Sequence, residues 1–170
     1  MFFLTTGQAS EMLSRTGFLS EGESLFEQTS AAPGARVSFA EHHTPQVVAA
    51  ALAEAMRDST FVIAIVTSTG MHPDAEDLNL YYAFRRSFQD HRSLLEAPAH
   101  MFEAEDFYHL RSFLFMAAAF RWDALVFTSE EPTPFEIGRD HSLRFQHEQS
   151  AVAKKFASSL TGSPGSARMH

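Results

Sequence analysis

The strongest pattern in the chain is FVIAIV at 61–66, apolar at every position and rich in β-branched side chains. Such a run reads as a strand covered on both faces. Upstream, ARVSFA at 35–40 alternates Val37 and Phe39 with polar neighbours, the period of a half-buried strand. Between them, 45–57 sets Val48, Leu52 and Ala55 on one helical face, with Thr44 placed as N-cap and Pro45 at the first helical position. A strand, a helix and a strand within about 30 residues predict a right-handed βαβ unit, with 35–40 and 61–66 as parallel neighbours.

Helical spacing recurs further along. Leu78, Tyr81, Phe84 and Phe88 mark one face of a helix over 73–90. After a break at EAPAH, a helix over 103–120 opens on Glu103, Glu105 and Asp106 and buries Phe107, Leu110, Leu114 and Ala117. Its end, FLFMAAAF, is apolar all round and predicts a helix wedged between layers. ALVFTS at 124–129 is a further strand, and PFEIG and SLRFQ alternate around GRDH as a hairpin. Residues 147–160 close as a helix. Near the N-terminus, 6–16 predicts a short helix capped by Thr6 and stopped by Gly17. Ser20 with Glu23 forms a capping-box pattern for another helix at 21–28, before the Pro33-Gly34 turn. The fold class is α/β or α+β: a mixed sheet of four to six strands with helices on one or both faces. Residues 1–160 are expected to form a single domain, and the Ser- and Gly-rich tail 161–170 to be disordered.

Composition narrows the functional classes. The chain has 170 residues, 45% of them hydrophobic and 17 of them Phe, enough to build a core without cross-links. It contains no Cys, which excludes disulfides, thiolate nucleophiles and Cys-ligated metal sites. The first residues, MFFLTTGQASEM, lack the basic leader and long apolar core of a secretory signal. No apolar run approaches the roughly 20 residues of a membrane helix. A cytoplasmic, membrane-free protein is expected. The net charge of −8 argues against nucleic acid and suits a basic protein partner; a homodimer is also compatible.

TSTGMHPDAEDLN at 67–79 is a loop opening a helix, the usual setting of a phosphate cradle. Walker A and Rossmann glycine patterns are both absent. Asp74, Glu76 and Asp77 would oppose a phosphate, because three carboxylates outweigh the roughly half positive charge of a helix N-terminus. Ordinary capping accounts for Gly70 and Pro73, so no cofactor and no resident metal is predicted.

If 35–40 and 61–66 pair in parallel, their C-terminal ends meet at one rim, where α/β sheets hold ligands. That rim would gather His42, His43, Ser68, Thr69, His72 and Asp74. Glu130 and Glu131 would join if 124–129 runs the same way. Asp140-His141 and His147-Glu148 resemble acid–base pairs, but neighbours in extended chain point apart. Trp122 reads as a core anchor, and His109 as a boundary histidine, exposed or hydrogen-bonded. Two readings follow. The first is a non-enzymatic protein-binding module of inhibitor or immunity type, steered by charge. The second is a hydrolytic or metal-assisted enzyme with His43 or His72 as base and Asp74 orienting it or binding metal.

Overall fold

A computed structural model of the chain describes residues 1–19, 35–39, 43–69, 75–131, 133–146 and 150–161. These form strands β1 (Phe2–Leu4), β2 (Ala35–Ser38), β3 (Phe61–Ser68), β4 (Ala99–Glu103), β5 (Asp123–Thr128), β6 (Phe135–Gly138) and β7 (Ser142–Phe145). The helices are α1 (Thr6–Arg15), α2 (Pro45–Ala55), α3 (Ala75–Arg86), α4 (Phe107–Ala119) and α5 (Ala151–Thr161). The strands make one sheet in the order β1-β4-β3-β5-β6-β7-β2. Every pairing in it is antiparallel. The helix read at 21–28 and the tail from 162 onward lie outside the described residues.

The mixed sheet of four to six strands is therefore corrected to an α+β fold whose described strands form a seven-stranded antiparallel sheet. β3 is central, as its composition predicts, but its neighbours are β4 and β5, and β2 lies at the far edge against β7. The parallel βαβ pairing does not occur. An all-apolar run reports burial on both faces, and either pairing direction supplies that.

One face of β3 carries Val62, Ala64 and Val66 into the larger core beneath α2, α3, α4 and α5; the other carries Ile63 and Ile65 toward α1. α2 lies against both α4 and α5. Its buried Ala49, Ala51, Ala53 and Ala55 leave room for that approach. The apolar end of α4 is wedged as predicted, with Phe113, Leu114, Met116, Ala117 and Ala118 buried. Trp122 is fully buried, its ring edge-on to Tyr81 at 5.1 Å. Fully burying one such large side chain contributes roughly 1.5–3 kcal/mol.

α1 covers the second face with Ala9 and Leu13. Its cap is Thr5, one residue before the expected Thr6: Thr5 Oγ1 accepts from the Gln8 amide and Gln8 Oε1 from the Thr5 amide. Gly17 ends the helix as predicted. At φ 82° it lets Phe18 N–H donate to Leu13 O and its own N–H to Ser14 O, the paired bonds of a glycine C-terminal motif. Thr5→Ala is expected to cost about 1 kcal/mol, read as a lower urea midpoint at unchanged slope. An unshifted midpoint would show that the cap is not needed to hold α1 on the sheet.

Candidate functional site

The antiparallel order redistributes the expected rim. β2 and β3 point the same way, so their C-terminal ends do share a rim. β5, β6 and β7 stand between them, about 19 Å of sheet at the usual ~4.8 Å strand spacing. Ser68 and Thr69 sit together at the end of β3, half-buried. His43 is half-buried beyond the end of β2, its N–H donating to Phe39 O. His42, His72 and Asp74 lie outside the described residues. β5 runs opposite to β3, so Glu130 and Glu131 fall at the other rim. There Glu131 is buried and accepts from Ser150 Oγ and the Val152 amide, both at 2.8 Å, fixing the start of α5. Glu130 pairs with Lys155.

The acid–base pairs in the sequence do not form dyads. Asp140 accepts from Ser142 Oγ and pairs with Arg36 and Arg144, while its neighbour His141 turns to Arg121. Burial would raise the Asp140 carboxyl, but the bonds from Ser142 and Arg144 outweigh it and hold it below the usual range. Arg121 Nε donates to His141 Nε2 at 3.0 Å. A guanidinium only donates, so this ring nitrogen is the acceptor. His109 meets Asp106 at 3.2 Å with its ring edge-on to Phe88, the boundary position expected. His147 and Glu148 lie outside the described residues. Among the described residues, no group of three or more His, Asp or Glu is placed to hold a metal ion.

The most concentrated polar chemistry is internal. Tyr81 and Arg85, four apart on α3, point to the same side of the helix, over β1 and β4. Arg85 Nη1 donates to the Tyr81 oxygen at 2.9 Å and to Ala97 O at 2.9 Å, and Nη2 to Asp90 at 2.8 Å. The Tyr81 oxygen lies 2.8 Å from His100 Nε2. Arg92 holds the other Asp90 oxygen and reaches back to Phe3 O in β1. The Arg85 guanidinium also lies 4.4 Å from the centre of the Phe3 ring.

Burial first, and the charge of Arg85 second, push His100 down to about 3. Burial raises the Tyr81 phenol above its ordinary value. For Asp90 burial also acts upward, but the bonds from Arg92 and Arg85 prevail and bring it down to about 2. Shifts of this kind often mark active sites. Here Tyr81, Arg85 and His100 are all 0% exposed. These three groups pin α3 to the sheet edge and are closed to solvent, while Arg92 is partly exposed and Asp90 lines a surface hollow of about 300 Å³. Sequence reasoning passed over this network, although Arg85 lies four residues after Tyr81 and beside Phe84, on the apolar stripe of its own helix.

No family model, curated protein or solved structure matches this chain. Among the described residues, no helix is long and apolar enough to cross a membrane.

The outer surface of the helical layer offers a different kind of site. α2, α3 and α4 enclose an open groove of about 490 Å³, floored by Phe115 and Met116 and walled by Phe84. At its lips stand Leu80, 50% exposed, and Tyr108, 74% exposed. Arg111 lies beside it and also lines a shallower hollow against α2. Leu80 falls outside the apolar stripe of α3 and belongs to no internal face, the one sequence signal for this groove.

Proposed function

We propose that the protein is a non-enzymatic binding module that docks on another protein through the groove between α2, α3 and α4. The observation that carries this reading is the joint exposure of Leu80 and Tyr108 over an apolar floor. An apolar trough between helices is a surface on which a segment of another protein can seat its apolar side chains. A small-molecule site encloses most of its ligand, and this groove lies open along its length. Tyr81, Arg85 and His100 are sealed, and Glu130, Glu131 and Asp140 are bonded to other side chains, which favours binding over chemistry. The net charge of −8 suits a partner that is basic on average and speeds its encounter. An inhibitor or antidote of such a partner, acting in the cytoplasm, is the finer form of the proposal.

Leu80→Asp tests it. The side chain is half exposed, so the variant folds, and its circular dichroism and melting temperature stay close to those of the parent. A carboxylate at the lip leaves the apolar floor uncovered by any partner. A protein retained by the parent chain and lost with Leu80→Asp is the expected result. Identical retention by both chains would place binding elsewhere on the surface.

A further inference from the structure

The groove also restricts the shape and charge of what fills it. Its walls are three helices, whose backbone groups are bonded within the helices themselves. A segment laid there in extended form would find no backbone partners for its own N–H and C=O groups. A helix satisfies those groups internally and presents only side chains. From Tyr108 to Phe115 the groove follows α4 for about 10 Å, roughly two turns of a docked helix. Apolar anchors spaced three and four residues apart on such a helix match Leu80, Phe84, Phe115 and Met116.

Charge adds the second restriction. Arg111 is exposed at the groove, with no carboxylate in ion-pair range among the described residues. The acid lining the adjoining hollow, Glu54, is committed to Arg57, which donates to it through both Nε and Nη2. A guanidinium fork beside an apolar trough matches a carboxylate on the occupant. The chain's net charge of −8 repels acids generally, so only the position facing Arg111 gains from one.

We infer that the groove receives an amphipathic helix of a partner protein, whose apolar stripe seats between α3 and α4 and whose carboxylate, about one turn away, pairs with Arg111. This rests on the docking reading above and specifies its partner. The test selects binders from a displayed library of alanine-framework helical peptides, about four turns long, on the intact chain. Affinities are then measured for the parent, Leu80→Asp, Arg111→Gln and Arg111→Glu.

The expected peptides share apolar positions three or four apart and an Asp or Glu at a fixed offset. Exchanging that acid for its amide weakens binding about tenfold on the parent and little on Arg111→Gln, the signature of a direct charge-assisted pair. A lysine at that position restores binding to Arg111→Glu. If Leu80→Asp abolishes binding while the peptide acid and Arg111 show no coupling, the docking reading stands and this inference falls. Peptides indifferent to Leu80→Asp, or no selected peptide at all, overturn both. A dimer in light scattering that Leu80→Asp dissolves would identify the occupant as a second copy of the chain and also overturn the inference.

Discussion

Arg85→Ala lowers the free energy of unfolding by about 3–5 kcal/mol, the usual cost of breaking a buried ion pair from one side. The guanidinium donates to Tyr81, Asp90 and the carbonyl of Ala97, and it lies against the Phe3 ring. Its removal leaves the phenol oxygen and the Ala97 carbonyl without this donor in a dry interior. It also leaves Asp90 with Arg92 as its remaining guanidinium partner among the described residues. Arg85→Lys recovers only part of the loss, because one ammonium cannot span the angles that the planar fork covers. Urea unfolding monitored by the fluorescence of Trp122, which packs on Tyr81, reports both variants. A loss under 1 kcal/mol for Arg85→Ala would mean that α3 is held by its apolar contacts alone.

Acid destabilises the protein well before most of its carboxylates titrate. His100 is neutral in the fold, with its pKa held at about 3 by burial and by the charge of Arg85. In the unfolded chain it titrates near ~6.5. Below that value the unfolded state binds a proton that the folded state refuses, so stability falls with pH. The slope approaches ~1.4 kcal/mol per unit, and the loss is about 2–3 kcal/mol by pH ~4.5. Asp90 acts lower in the range. Its folded pKa of about 2 contributes stability that is fully present above the unfolded value near ~3.9 and is lost as pH falls toward 2. The two effects run in sequence, the histidine first. Urea midpoints at neutral and mildly acidic pH, for the parent and His100→Gln, separate them. His100→Gln is less stable at neutral pH, and its midpoint varies less across the mildly acidic range. Equal slopes in the two chains would assign the acid sensitivity to other groups.

The sequence makes parts of this fold legible for identifiable reasons. FVIAIV is a strand because its β-branched side chains suit burial on both faces, and β3 has that burial. Thr44 and Pro45 place the start of α2, Gly17 the end of α1, and GRDH the β6–β7 turn. What fails is pairing. β4, AHMFE, follows Pro98 and begins with Ala and His, so it reads as a break between helices. Tertiary contact makes it the strand between β1 and β3. β1 has three residues, too few for a period. Without those strands, β2 is the nearest neighbour the sequence offers β3, and the parallel rim follows from that pairing. Of the candidate residues on that rim, Ser68 and Thr69 lie side by side and His43 is separated from them by the width of three strands.

Two helices show how turn chemistry can be hidden. α3 and α4 end, like α1, with a residue of positive φ, but at Gln89 (φ 60°) and Arg121 (φ 58°) instead of glycine. Each costs roughly 1–2 kcal/mol relative to glycine in that conformation. The following residues account for the position. Asp90 N–H returns to Arg85 O, and Trp122 N–H to Ala117 O. Asp90 then reaches the buried guanidinium, and Trp122 enters the core. These ends are set by what they deliver into the interior, which local sequence does not display.

The central claim is that the protein acts through the groove between α2, α3 and α4. A photo-reactive phenylalanine analogue at Tyr108, the most exposed aromatic at its lip, tests this inside the cell. The same analogue at Arg144, on the opposite face of the sheet, is the control. The account predicts a discrete cross-linked protein from the Tyr108 position, absent when Leu80→Asp is added and absent from the Arg144 position. Cross-linking at Arg144 with none at Tyr108 would contradict it.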